Sequence, residues 1–432
     1  MTKQRCAFLV VDLGFGDAGK GLITDSLVRR YGAELVVRFN GGAQAGHNVV
    51  TAEGQHHTFS QFSSGSFALA VRTHLARDVV VHPTALLVEA EHLARAGVSD
   101  ALRRISIDPA CRVTTPFQQA ANRVRELLRG EARHGSCGVG FGETVRDSLV
   151  APELTVHFGD LREPERVRER VFAQRALKLH EFAAIIAGSV DAELRHELRA
   201  LLDPELANRW LELASRVARE VRSVGDEIVG SEPGSIVFEG AQGVLLDERF
   251  GFHPFTTHSR TNFDGALDVL ARSGFAGAVQ RIGVLRAHAV RHGPGPLPTE
   301  DTSVSARTSE PHNQTGPWQQ HVRKGWPDLV LLRYALLACA GADSLAVTHL
   351  DTLSAFDDYR YCHEYRGLAE LQLPTGIGEQ EVLTRELSAA EPLYRSLGSA
   401  QPAEFCGLLQ EQCGIPVRLT SHGRTAQDVS IF

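Results

Sequence analysis

The stretch that decides the fold runs from Cys6 to Gly32, "CAFLVVDLGFGDAGKGLITDSLVRRYG". Its apolar run from Cys6 to Leu13 reads as a buried strand. A glycine-rich turn follows, Gly14 to Gly21, and then Leu22, Ile23, Leu27 and Val28 recur at helical spacing. Strand, glycine turn and helix in that order are the context in which a phosphate-binding loop forms. The spacing from Gly14 to Gly19-Lys20 fits G-x-x-x-x-G-K, yet the hydroxyl residue expected after the lysine is Gly21, and an acid, Asp17, stands in mid-loop. Backbone N–H groups around Gly16, Gly19 and Gly21 can cup a phosphate, the helix N-terminus adds its positive dipole end, and Lys20 can neutralise the outer phosphates. A carboxylate beside a terminal phosphate is repelled unless a divalent cation lies between them. Asp17 is therefore the candidate metal ligand, with a second capacity as a base toward a neighbouring acceptor. A plain turn after a strand is the bland alternative; the agreement of strand, spacing, lysine and helix disfavours it.

Outward from this loop, residues 1–150 alternate apolar runs ("ELVVRF", "DVVVHP") with glycine turns and helical stretches ("TALLVEAEHLARAG"), which predicts a mainly parallel sheet. Residues 161–227 read as a helical insertion. "SIVFEGAQGVLLD" returns to a buried strand, Ile236 to Phe238, and "GFAGAVQRIGVLRAHAV" reads as a strand pair. Residues 292–327 have no period and much Pro and Gly, the signature of a long functional loop. "SLAVTHLDTL" supplies another strand, and "PVRLTS" with "QDVSIF" the last pair. The expected architecture is one α/β body over 1–432: a large, mostly parallel central sheet of phosphate-loop type, flanked by helices.

Composition is that of an ordinary globular chain, with 43% apolar and 22% charged residues over 432 positions. A net charge of −7 and no dense Lys/Arg run argue against a nucleic-acid partner, and the apolar start is too short to span a membrane. Seven cysteines without C-x-x-C speak against a disulfide framework and for a reducing cytoplasm. Lysine occurs only at 3, 20, 178 and 324, so its presence at the loop position is informative.

Four further turns carry candidate chemistry. "FNGGAQAGHN" follows a strand and presents Gln44, a free carbonyl at Gly46 that suits magnesium, and His47, a candidate phosphoryl stabiliser or proton donor. "GSCGVGFGET", with Ser136 and Cys137, reads equally as an anion turn or a simple loop. In "FEGAQG" Glu239 and Gln242 fall where a buried strand ends, the edge at which open α/β sheets hold ligands; the Gln242 amide can pair with a purine edge. In "THLD", Asp351 can accept from the N1–H and 2-amino groups of guanine. Taken singly, His47 and Asp351 would read as a structural histidine and a helix cap.

These five stretches, in this order, resemble the adenylosuccinate synthetase family over essentially the whole chain. "GFGDAGKG" is similar to its G-W-G-D-E-G-K-G and "FNGGAQAGHN" to its Q-G-G-x-N-A-G-H-T; "FEGAQGVLLD", "GPGPLPTE" and "THLDTL" match family segments. The resemblance implies a homodimer that joins the 6-oxo position of a purine nucleotide to an amine, driven by GTP, with one Mg²⁺ per active site on Asp17 and Gly46. It implies a catalytic set of Asp17, His47, Lys20 and Gln242. GTP would lie on Phe15, Gly16, Asp17, Ala18, Gly19, Lys20 and Gly21, on Gly46, His47 and Asn48, and on Arg323, His349, Asp351, Ser421 and Gly423. The acceptor would lie on Asp17, Gln44, Ser136, Cys137, Gln242 and Thr257, and the amine loop would carry Thr315, Gly316, Gln320 and Arg323.

Departures from the family pattern concentrate at the substrates. The amine loop, family G-x-T-T-G-R-R-R-R-x-G-W, is "NQTGPWQQHVRKGW", its cationic cluster reduced to Arg323 and Lys324. Fixed arginine forks are what hold a dicarboxylate, so aspartate is not assured. The turn T-T-G-R-G-I-G-P is "SCGVGFGE", with Cys137 at the phosphate-binding threonine, and A-R-R-G-L-R is "APELTV". The expected activity is GTP- and Mg²⁺-dependent C–N ligation on IMP or an analogue. An alternative is a specialised ligase with another amine or a non-IMP acceptor. A second, from a different class, is a non-catalytic GTP-binding regulator, against which Asp17 and His47 both speak. A GTPase switch is disfavoured by Gly21 and by the lack of N-K-x-D.

Overall fold

The strand Cys6–Asp12 lies near the middle of a ten-stranded sheet in the computed structural model, which describes residues 5–188, 191–308, 318 and 321–432. From one edge the order is Val429–Ile431, Val417–Ser421, Ser344–Thr348, Ala278–Arg286, Cys6–Asp12, Ile236–Glu239, Leu35–Arg38, Arg72–Leu75, Ile105–Ile107 and Arg222–Ser223. Every neighbouring pair is parallel except the edge pair Val417–Ser421 with Val429–Ile431. This is the mostly parallel sheet that the alternating pattern predicts.

Alternation along the central strand sorts its side chains into two cores. Ala7, Leu9 and Val11 enter one, with Val37, Phe238 and Leu345. Phe8 and Val10 enter the other, beneath Ile23, Leu27 and Val28 of the helix Lys20–Tyr31. Burial on both faces is why the strand reads as a continuous apolar run, and each such side chain contributes about 1.5–3 kcal/mol. A third core joins Phe117 and Val124 to Val167, Val171 and Trp210. It is built largely from the helices Pro116–Arg129, Pro164–Glu181 and Glu205–Glu220.

Two stretches differ from the sequence reading. The segment 161–227 carries the helices Pro164–Glu181, Ala183–Gly188, Ala192–Leu202 and Glu205–Glu220 but then supplies Arg222–Ser223, a two-residue edge strand too short to show any period. The stretch expected to be an unbroken loop, 292–327, contains the helix Thr302–Arg307 and the strand Val322–Gly325. That strand pairs antiparallel with Ala289–His292, so the second half of the expected strand pair leaves the main sheet. Basic residues on a short ribbon give no apolar alternation to read. Among the described residues no helix is long and apolar enough to cross a membrane. All seven cysteines are free.

Candidate active site

The carboxyl ends of the parallel strands converge on the glycine loop, bringing Asp12, Arg38, Glu239, Arg286 and Thr348 to one edge of the sheet. Asp12, which the sequence reading passed over, organises that loop. Its carboxylate accepts from Gly14 N–H and Ala18 N–H, each at 2.8 Å, and from Lys20 Nζ at 3.0 Å. The Lys20 side chain is 3% exposed, held at the loop by a charge the protein itself provides. On the opposite side the Thr348 hydroxyl donates to Ala18 O at 2.7 Å. Phe15 turns away from the loop into the core, with the Arg291 guanidinium over its ring at 4.1 Å.

Asp17 stands at the loop apex with φ of 60°, a left-handed conformation uncommon outside glycine. Its carboxylate pairs with His292 Nε2 at 2.9 Å and keeps 29% of its side-chain surface. Burial pulls this carboxyl upward, but the His292 hydrogen bond and the charges of His292, Lys20 and Arg286 outweigh it, and Asp17 lies below its ordinary pKa. An ionised, reachable acid therefore projects from the glycine loop. His292 was not a candidate from sequence; only the ribbon Ala289–His292 carries it there.

Beside the loop, His47 Nδ1 lies 2.6 Å from Glu239 Oε1. The other carboxylate oxygen accepts from Ser64 N–H at 3.0 Å, and the Ser64 hydroxyl also donates to Glu239. Burial would raise Glu239, but the His47 and Arg38 charges and the His47 and Ser64 hydrogen bonds overcome it and hold the carboxyl at about 2. Burial depresses His47 to about 4; Arg38 and Lys20 add to this, and Glu239 opposes it. The pair at neutral pH is thus a carboxylate with a neutral imidazole. Glu239 can only accept, so Nδ1 carries the proton and Nε2 the lone pair.

The missing hydroxyl after Lys20 has a steric reason. A Cβ on Gly21 would stand 3.0 Å from Ser64 Oγ and 3.1 Å from both Asn48 O and His47 Cβ. The space a serine would need is taken by the strand that delivers His47. Gly243 is fixed likewise: a side chain there would collide with Gly14 O and Gly16 N. This close seating of the 242–243 turn against the loop brings Gln242 in, at φ of 57°. Gln242 Oε1, and both amide atoms of Gln44, are buried without a hydrogen-bond partner. Buried amides in that state are groups waiting for a ligand or water.

The remaining candidates are distributed unevenly. Asp351 is exposed at the start of the turn Leu350–Ala355, just past a strand end; His349 hydrogen-bonds Thr348 Oγ1 at 2.9 Å. Ser421 is buried and donates to Gly423 O at 2.7 Å, and Asn48 Oδ1 accepts from Thr58. Thr257 is half-buried, tied by its N–H to Leu246 O at 2.8 Å. Cys137 reaches Gln44 O at 3.9 Å, while the Ser136 hydroxyl is committed to Asn122. Arg323 donates to Gly293 O, Gly295 O and Glu300, and Lys324 to the Thr308 carbonyl and hydroxyl. The two cations left in the amine loop are therefore bound within the protein. Thr315, Gly316 and Gln320 lie outside the described residues.

Among the described residues no group of three His, Cys, Asp or Glu could hold a metal alone. Magnesium, however, commonly takes one or two protein oxygens plus substrate phosphates. The ionised, accessible Asp17 and the exposed backbone at Gly46 fit that donor set.

A mostly parallel sheet with a glycine loop after its central strand, an ionised acid in that loop and a buried histidine–carboxylate pair beside it defines an α/β protein with its charged groups gathered at one sheet edge. The adenylosuccinate synthetase family profile matches residues 9–429. An adenylosuccinate synthetase of Acidithiobacillus ferrooxidans is 33% identical over 402 residues, covering 90% of this chain and 86% of that one. One from Neisseria meningitidis serogroup A is 29% identical over 447 residues, 98% of each chain. Among solved structures, fully ligated adenylosuccinate synthetase from Plasmodium falciparum superposes with a TM-score of 0.78 at 19% identity, covering 98% of this chain and 99% of that one. Cyanophage S-2L succinoaminodeoxyadenylate synthetase, bound to dGMP and dATP, gives 0.59 at 15% identity, over 99% and 96% of the two chains. The chain belongs to the adenylosuccinate synthetase family. It is a GTP-dependent ligase of that type.

Proposed function

We propose that this ligase activates the 6-oxo group of a purine, IMP or an analogue, by phosphorylation from GTP and replaces it with an amine. Asp17 carries this reading: an acid kept ionised and accessible at the apex of the phosphate loop. Binding alone needs no base there. Asp17 and the Gly46 carbonyl would hold Mg²⁺, which would supply neutralisation of the phosphate charge. Asp17 takes the proton from purine N1 as O6 attacks the γ-phosphorus and the bond to the β,γ-bridging oxygen breaks, leaving GDP. A carboxylate below its usual pKa is a weak base, so proton removal and attack must proceed together. Lys20 stabilises the transferring group, and His47, oriented by Glu239, does so once its Nε2 takes up a proton as the phosphate charge arrives. The amine then adds at C6, inorganic phosphate leaves, and the amine loses its proton. Asp351 reads the guanine of GTP.

An amine other than L-aspartate fits this site better, because Arg323 and Lys324 are engaged by Glu300, Thr308 and backbone carbonyls. The test is release of phosphate from GTP with a panel of 6-oxopurines and amines, products read by mass. GTP consumption without any aminated purine would remove the ligase assignment for these substrates; no consumption with any pair would favour a binding protein.

A further inference from the structure

The segment "GPGP", residues 293–296, belongs to no helix or strand. Its prolines have no N–H to donate, and Gly293 and Gly295 take φ of 69° and 103°. Its four carbonyls are nevertheless all engaged, by two guanidinium groups. Arg291 donates to Pro294 O at 3.0 Å and to Pro296 O at 2.9 Å. Arg323, directly opposite Arg291 on the ribbon, donates to Gly293 O at 3.0 Å and to Gly295 O at 2.6 Å. A Cβ on Gly295 would collide with Arg291 Nη2, so the clamp requires glycine there. Arg291 is 2% exposed. Among the described residues no carboxylate pairs with it, and burial and the Arg323 charge hold it below its ordinary pKa. Its remaining neighbours are aromatic: the Phe15 ring at 4.1 Å and the Phe255 ring at 5.9 Å.

We propose that Arg291 is a positioning residue for phosphoryl transfer: it fixes the Asp17 carboxylate by locking the glycine loop to the ribbon that carries His292. The inference rests on the ligase reading above, in which Asp17 is the base. Residues 291 and 292 are neighbours on one strand, so their side chains leave its opposite faces. Arg291 grips Phe15, which points inward from the loop. His292 Nε2 meets the Asp17 carboxylate, two residues further along that loop, at 2.9 Å. Two successive ribbon residues thus hold the loop on either side of Gly16. Asp17 keeps a left-handed φ of 60°, a conformation that persists only where the surroundings enforce it. A buried cation without a counter-ion is costly, and an apolar side chain would pack against two phenyl rings without that penalty. The guanidinium does what such a side chain cannot: its flat face covers Phe15 while its edge reaches two carbonyls. A lysine ammonium, a point charge, cannot do both.

The test compares the full wild-type chain with Arg291→Lys by two readouts. Hydrogen exchange, read by mass, needs no substrate. The peptide spanning residues 13–20, whose Gly14 and Ala18 N–H groups are bonded to Asp12, should exchange at least about tenfold faster in the variant. The strand Cys6–Asp12 should stay as protected as in the wild type. Turnover of the best acceptor and amine pair of the panel should fall about 10²-fold, the effect of a misplaced reacting group, with KM for GTP within about threefold. Phe15→Leu removes the other half of the same contact, so the double variant should lie within about threefold of Arg291→Lys alone. Unchanged exchange of the loop, a loss confined to KM, or losses that simply add would each overturn the proposal. Should Arg291→Lys lose protection throughout the chain, Phe15→Leu decides by the same two readouts. A wild type that turns over no pair would instead remove the ligase reading, while exchange would still decide whether Arg291 holds the loop.

Discussion

The loop around Asp17 and the rim formed by residues 133–138 and 321–326 are both rich in polar groups, but they spend them differently. At the loop, internal partners prepare groups for a ligand: Asp12 sets the backbone and Lys20, His292 keeps Asp17 ionised, and Glu239 fixes the His47 tautomer. At the rim, the polar groups satisfy one another: Glu126 accepts from three backbone N–H groups, and Glu300 and carbonyl oxygens accept from Arg323. In the function proposed, phosphoryl transfer rests on the first region and substrate choice on the second, so that one can change while the other stays.

The strongest way to break this contrast is at its centre. Asp17→Asn should lower turnover at least about 10³-fold, as removal of a positioned base does, while GTP binding by fluorescence or calorimetry stays within a few-fold. Near-normal turnover would place the base elsewhere. Next, Glu239→Gln should reduce kcat about 10²-fold with little change in KM, because the imidazole loses its charged orienting partner; a change confined to KM would make the pair structural. At the rim, L-aspartate should serve with kcat/KM at least about tenfold below the best amine of a panel, the cost of one lost charge-assisted pair. Efficient use of aspartate would show that residues beyond Arg323 and Lys324 recognise it. Gly21→Ser should destabilise by about 1–3 kcal/mol through overpacking against Ser64, Asn48 and His47, read as a lower denaturant midpoint.

A further effect, on stability rather than on turnover, is one of pH. His47 is depressed from 6.5 to about 4, so between those values the unfolded chain binds a proton that the folded chain refuses. Stability therefore falls as pH drops through that window, by up to about 1.4 kcal/mol per unit, and does not change from this cause above it. Glu239, depressed from 4.5 to about 2, continues the loss at lower pH. His47→Asn should flatten the upper part of the curve measured by thermal denaturation; an unaltered slope there would assign it to other groups.

Much of the frame was legible in the chain. The run Cys6–Leu13 announced a strand buried on both faces, and the loop and helix after it were placed correctly because their signals are local. Glu239 could be located at a strand end, though not its partner. Asp12, Ser64 and His292 gave no comparable signal: an acid, a serine or a histidine beside an apolar run has many ordinary explanations. The 134–138 turn was ambiguous for the same reason, since glycine density permits an anion cup without saying which anion fills it.

By itself the sequence determined the parallel sheet and the glycine loop with its acid and lysine, which depend on periodicity and spacing between neighbours along the chain; the family was legible from the resemblance of five motifs. Only the tertiary structure decided which charges meet: His47 with Glu239, 192 positions apart, Asp17 with His292, and Glu126 with the turn it fills. Hydrogen bonds and Coulomb forces act over a few ångströms of space, so the fold alone settles whether a charged group is offered to a substrate or satisfied within the protein.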